Sequence, residues 1–384
     1  MTTRTEKTTP GEASAAPGSA PPLIDTRPLR GAARARVYAS ARKHDLMCAT
    51  RGIYLRSDTV DGSDEAKWRA YAVALLHRYP KAVAMAETAA SIHGFPLADA
   101  AREPSLQYPR RTTFPSCGRV RFRSAPTVAR ADRVRVETVW GPVWVTSPLQ
   151  TAIDVARYGS VEDALVVFDH CLRERVFTLD DVVSRLLALG PVHRLARVVR
   201  VLVVVNGASE SPRETLVRYR LWVLGFPLPL VQATVRDRGG VFVARTDFCF
   251  PDHGVVVEYD GRPKYGVVDE PGEFDGLSGD DLVGARVAKT LRTRDALMGE
   301  QRRQRRLEAL GFRVVRVNWE TFRGGEWTDH LRRLLELEAP AVACRGVPAW
   351  RHPKVVVDAA RGSVASLIVR LLGVTPGVPM RWTQ

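Results

Sequence analysis

The sequence predicts an α/β protein of the α+β kind, with a mixed sheet flanked by helices. Three observations predict it. Between 209 and 322 the patterns run helix, three strands, helix, strand. The strand-like runs are short, and either alternate apolar with polar residues or are continuously apolar. Several helical runs open on Ser or Thr, carry acids in the first turn, or close on Gly.

Taken in order, residues 1–28 are rich in Pro, Ala, Ser, Thr and Gly and read as a disordered tail. "RGAARARVYASARKHDL" then reads as a basic helix, and "MCATRGIYLRSD" as strands around a turn at Gly52. Helix plus β-turn is the ending of a winged-helix unit, so 29–62 is a candidate DNA-binding segment, with Arg34, Arg36 and Arg51 as phosphate contacts. "DEAKWRAYAVALLHRYP" has acids at its first turn and stops at Pro80; "AMAETAASIHGFPL" ends at Gly94. His93, near that end, reads as a cap or a satisfied core residue rather than a ligand.

From 104 to 146 come the β-like runs "RVRFRSA", "RVRVETVW" and "PVWVTS". Arg alternates there with Val and Phe, which puts charge on one sheet face, either on phosphate or in solvent. "SPLQTAIDVARYG" starts a helix at Ser147-Pro148. "SVEDALVVFDHCLRERVF" and "TLDDVVSRLLALG" are amphipathic helices with Ser or Thr caps. Residues 63–204 are read as one α/β domain. The run "VLVVVNGA" is too short to cross a bilayer.

Residues 205–340 hold the chemistry. In "SESPRETLVRYRLWVLGFPLP" Ser211 is an N-cap, Pro212 lies at N1 and Glu214 at N3, a capping box. Glu214 also heads the stripe Val217, Leu221, Leu224, so it reads either as a cap or as an acid aimed inward. "LVQATV", "VFVARTDFCF" and "VVVEYD" follow as strands. A four-residue turn at "PDHG" sets Phe250 beside Val255 and Asp247 opposite Glu258, with Asp260 on the same face. Like charges opposite one another destabilise a strand pair, and near an apolar core the cost reaches several kcal/mol. A hard divalent cation is the favoured compensation; the alternative is that the acids point to solvent or pair with nearby Arg245 and Arg262. Lys264 lies close behind the acids, and "VVDEPGEFDGLSGDD" reads as a loop. "TRDALMGEQRRQRRLEALG" is a helix whose stripe Glu300, Arg303, Leu307, Leu310 turns inward. Arg302, Arg303, Arg305 and Arg306 are a phosphate clamp or a solvated face. "FRVVRVNWETF" is a further strand, with Trp319 past its end.

The formal net charge of +15 favours a polyanionic partner, nucleic acid before membrane. The five cysteines form no CxxC pair, which argues against structural zinc and for a reducing, cytoplasmic setting. The N-terminus lacks the apolar region of a secretory signal.

"SESPRE", the Asp of "RTDFCF", "EYDG" and "LEALGFRVVRVNWETF" together resemble the PD-(D/E)xK nuclease superfamily, most closely its very-short-patch-repair-like branch, across about 209–335. That resemblance implies a restriction-endonuclease-like core that cuts DNA with Mg²⁺, or Mn²⁺. Asp247 and Glu258 would be its metal ligands, and Glu214 the acid on the first helix. Asp260 stands where the motif has its Lys, with Lys264 as the nearest substitute. Gln301 stands where related chains carry a Lys. The stretches "RGIYL", "AETAASIHGFPL", "VTSPLQTAIDVARYG" and "FDHCLRERVFTLDDVV" resemble the AbiEi-type antitoxin and regulator family, which implies a winged helix followed by a small α/β domain. Residues 341–384 match neither.

Two functions follow. One is a Mg²⁺-dependent DNA endonuclease in which Asp247, Glu258, Asp260, Lys264 and Glu214 form the catalytic set, and Lys264 or Arg303 stabilises the transition state. The other is a catalytically degenerate DNA-binding regulator or antitoxin of the AbiEi type. An RNA substrate is a weaker third. DNA is the expected partner. A homodimer is left open, and the second reading adds a toxin.

Overall fold

In a computed structural model, the structure describes residues 22–60, 62–99, 103–108, 120–124, 132–190, 193–260, 278–336 and 343–348. It is a mixed α/β fold of the α+β kind, in which helices accompany mixed sheets. It divides into two compact units. One comprises Met1–Ala84, Arg102–Ala129 and Arg133–Val145; the other comprises Met85–Ala101, Arg130–Asp132 and Thr146–Gln384.

The first unit opens with β1 (Leu23–Asp25), α1 (Gly31–Arg42), β2 (Leu46–Thr50) and β3 (Ile53–Arg56), with sheet order β1-β3-β2. The predicted basic helix is α1, and it buries no residue. The strand β1 corrects the expectation of disorder through residue 28. Leu23 and Ile24 pair with Leu55 and Tyr54 and so satisfy an edge that would otherwise be open. Residues 1–21 lie outside the described residues. Next comes α2 (Asp64–Arg78), capped by the Ser63 hydroxyl, which accepts from the Ala66 N–H. β4 (Val83–Ala84) follows, then α3 (Ala86–His93), which belongs to the second unit. β5 (Ser105–Tyr108), β6 (Arg121–Ser124), β7 (Arg133–Val136) and β8 (Val143–Thr146) join β4 in a sheet of order β6-β5-β4-β8-β7. Among the alternating arginines, Arg135 is exposed, while the Arg133 guanidinium lies 4.9 Å from the centre of the Trp144 ring.

In the second unit, α4 (Pro148–Tyr158), α5 (Val161–Arg173), α6 (Leu179–Leu189) and α7 (Leu195–Val204) pack with α3 around Ile153, Leu165, Phe168 and Leu202. Ser147, Ser160 and Thr178 cap α4, α5 and α6 as their spacing predicts. His93 sits against the Thr146 carbonyl at 2.8 Å, and burial lowers its pKa, which suits a satisfied core residue. The sequence reading did not foresee α7. Its signal was present, because Leu195, Val198, Val199 and Leu202 recur at helical spacing, with Arg197 and Arg200 between them. Among the described residues, no helix is long and apolar enough to cross a membrane.

The remaining elements are α8 (Pro212–Val223), β9 (Leu230–Arg236), β10 (Phe242–Phe250), β11 (Val255–Tyr259), α9 (Gly279–Ala309), β12 (Arg313–Val317), α10 (Trp319–Gly324), α11 (Glu326–Leu334) and β13 (Ala343–Pro348). Their sheet has the order β12-β11-β10-β9-β13, with β11 and β12 parallel. One face packs Phe248, Phe250 and Val257 against Val217 and Leu221 of α8 and Trp327 of α11. The other packs Cys249 and Val256 against Leu307 of α9. Burial on both faces explains why "VVV" is continuously apolar rather than alternating. Helix α9 begins at Gly279, well before the predicted start near 293, and β13 takes part of the unexplained C-terminal stretch as an edge strand on β9. A wholly buried ion pair ties α8 to α5. Arg218 binds Asp169 and the Val204 carbonyl, and Asp169 also accepts from the Thr215 hydroxyl at 2.8 Å and the Asn206 N–H at 2.7 Å.

Candidate functional site

The chain leaves β10 through a 3₁₀ turn at Pro251–His253 and re-enters β11 at Gly254, whose φ of 60° is the left-handed conformation glycine favours. The register is the expected one: Phe250 pairs with Val255, Cys249 with Val256 and Phe248 with Val257. One step further along, the Tyr259 N–H donates to Asp247 Oδ2 at 2.8 Å. Because side chains alternate, Asp247 and Glu258 share the α9 face with Cys249 and Val256.

On that face Glu258 Oε2 lies 3.2 Å from Arg303 of α9 and 3.7 Å from Arg316, its register partner on β12. Arg316 also reaches Asp260 at 3.8 Å and pairs with Glu300. Among the described residues, Arg303 and Arg316 therefore compensate Glu258, and Arg316 also Asp260, whereas Asp247 is met by the Gln232 amide and the Tyr259 N–H. Arg245 pairs with Glu210 instead. Arg262 and Lys264 lie outside the described residues.

Glu214 is buried in the first turn of α8. The Ser211 hydroxyl caps its N–H as predicted, at 3.2 Å. The return bond of the capping box is different: Glu214 Oε2 accepts from the Glu210 N–H at 2.8 Å, and Oε1 accepts from the Ser211 hydroxyl. This rotation leaves Oε2 also accepting from the Gln232 amide at 2.9 Å, while the same amide donates to Asp247 Oδ1 at 3.2 Å. Gln232 holds a φ of 50° inside β9. A non-glycine residue in that region costs roughly 1–3 kcal/mol, and such strain gathers at functional sites. Burial, together with the neighbouring Glu214 and to a lesser degree Glu258, pushes the Asp247 carboxyl up to about 7; the Tyr259 N–H and the Gln232 amide oppose the shift.

Glu258 is only 6% exposed, and among the described residues its Oε1 has no hydrogen-bond partner. A buried acceptor left unmade costs about 1–3 kcal/mol. Asp247, Glu258, Asp260, Glu300, Arg303 and Arg316 line a cavity of about 170 Å³. The all-oxygen donors suit a hard cation, which needs only one or two carboxylates beside its waters. No group of three or more His, Cys, Asp or Glu placed to hold a metal occurs among the described residues.

Of the other basic candidates, Arg302 and Arg305 are exposed on α9, beside an exposed Gln301. Arg303 is turned to Glu258, and Arg306 donates to the Val243 carbonyl at 2.9 Å. In the first unit Arg34, Arg36 and Arg51 are exposed. The sequence reading missed Gln232 and Arg316. The signal for Arg316 was present in "RVVRV", but its meaning needed the parallel pairing of β12 with β11.

The class that fold and site define is a mixed α/β protein with a guanidinium-braced carboxylate site. Residues 82–203, about a third of the chain, match the family model of the AbiEi antitoxin C-terminal domain. The matched stretch runs from just before β4 into α7. A search of the curated proteins found no match.

Proposed function

We propose that this protein is a DNA-binding regulator of the AbiEi antitoxin type, whose C-terminal nuclease-like domain is held catalytically silent by its own guanidinium groups. The observation that carries the regulator reading is the match over 82–203. The net charge of +15 and the exposed arginines of α1 fit a DNA partner, and the family description implies a toxin as the second partner. Silence is supported by Glu258, which is already neutralised by Arg303 and Arg316, and by Asp260, which takes the position of the motif lysine. Segment 29–62 carries the duplex contacts in this reading, and 205–340 is a platform.

The test is a mobility-shift titration on duplex DNA from upstream of the protein's own coding region, at several salt concentrations. The expected result is binding whose log K falls linearly with log salt, with a shallower slope in Arg34→Ala/Arg36→Ala. No shift on any duplex at low salt would overturn the reading.

One observation favours a second reading, a Mg²⁺-dependent endonuclease. The buried Glu258 Oε1 lacks a partner among the described residues, and a cation held by Asp247 and Glu258 would complete it. When bound, such an ion lowers the pKa of a water and stabilises charge on the phosphate. Here Glu214 and the strained Gln232 would orient Asp247, and Arg303 would lie beside the phosphate.

A further inference from the structure

The first unit holds an open cavity of about 710 Å³, apart from the carboxylate site. Its wall is formed by α1, the β2–β3 turn and the end of α2. Arg27, Arg34, Arg51 and Arg78 line it together with Tyr38 and Tyr54, and no carboxylate is among its described lining residues. Asp25 meets the charge of Arg27, at 2.6 Å, which leaves the other guanidinium groups in excess.

The wall is braced rather than loose. Arg27 donates to the Arg78 carbonyl at 2.9 Å, and Arg78 donates to the Arg51 carbonyl. Arg34 Nε donates to the Tyr38 hydroxyl at 2.7 Å, and among the described residues no hydrogen bond engages its terminal nitrogens. The Tyr38 and Tyr54 rings are 6.0 Å apart and inclined at 53°. Gly52 has a φ of 89°, and a Cβ there would come within 3.0 Å of Arg27 Cγ, so only glycine lets the turn close over that arginine. Arg51, beside it, is exposed.

We propose that this cavity binds a single nucleotide unit, with its phosphate on Arg34 and Arg51 and its base against Tyr38 and Tyr54. Guanidinium groups match phosphate oxygens two at a time, and aromatic faces stack bases of any identity. The volume lies within the usual range of small-molecule sites. A bare anion would make no use of the tyrosines, and a duplex keeps its bases paired and stacked away from them. The site goes beyond the regulator reading, because it requires a nucleotide, free or within a single strand, and not a duplex.

The test uses the full chain in calorimetric titrations with AMP, GMP, CMP and UMP, a short single-stranded oligonucleotide, a duplex, and inorganic phosphate. Arg51→Ala and Tyr38→Leu are the variants, both at exposed positions, with the exposed Arg323→Ala as the control. Circular dichroism checks the fold, and Arg51→Lys replaces any variant that loses it. The expected result is saturable binding of a mononucleotide or the single strand, weakened roughly tenfold or more in both variants and unchanged in the control. Which ligand binds identifies the source of the nucleotide. Three results would each overturn the proposal: no binding of either ligand, binding that Tyr38→Leu leaves intact, or phosphate alone binding as tightly. Duplex binding that survives such a failure would leave the regulator reading standing.

Discussion

Replacing Asp247 by asparagine should make the protein more stable in alkali and slightly less stable in acid. In the folded chain the Asp247 carboxyl is raised from an ordinary 3.8 to about 7, by burial first and by Glu214 next. The folded state therefore holds the proton more tightly than the unfolded state does. Stability from this group is fully present below about 3.8 and is lost as pH rises towards 7, after which the curve is flat. A shift of that size corresponds to a loss of up to about 4 kcal/mol. Asparagine has no such proton to lose. It keeps one acceptor oxygen, so it gives up either the Tyr259 N–H or the Gln232 amide, at about 1 kcal/mol. The difference between variant and wild type should run from about −1 kcal/mol near pH 4 to about +3 kcal/mol at pH 8. Urea unfolding at fixed ionic strength across that range measures it. Parallel curves for the two proteins would refute the reasoning, because they would mean that Asp247 titrates alike in the folded and unfolded chain.

Three further outcomes follow from the same geometry. Arg218→Met strands the buried Asp169 and should cost about 3–5 kcal/mol in urea unfolding, with part of the loss recovered in Arg218→Met/Asp169→Asn. Arg316→Gln removes the group shared by Glu258, Asp260 and Glu300 and should lower stability by about 1–3 kcal/mol, read as a lower melting temperature. If Asp247 and Glu258 hold a cation, Mg²⁺ should raise the melting temperature of the wild type and leave that of Asp247→Ala unchanged.

Much of the site was legible because its parts obey local rules. The turn residues "PDHG" fixed the register that sets Asp247 beside Glu258, and period-2 alternation fixed their common face. The spacing Glu300, Arg303, Leu307 placed Arg303 on the inward side of α9, where it meets Glu258. What escaped depends on contacts distant in sequence. Arg316 compensates Glu258 only because β12 lies parallel to β11, and strand order is not written in either strand. The bridge from Glu214 through Gln232 to Asp247 depends on a left-handed residue inside a strand, which no propensity favours. β1 and β13 escaped because each owes its form to the edge it pairs with, β3 and β9 respectively, rather than to a pattern of its own.

The central claim is a protein that binds DNA without cutting it. Supercoiled plasmid incubated with Mg²⁺ and either the wild type or Asp247→Ala tests it most directly, with mobility and nicking read on one gel. The account predicts retarded plasmid with both proteins and no nicked product from either. Nicking by the wild type that disappears in Asp247→Ala would contradict it and establish the carboxylate site as a working nuclease.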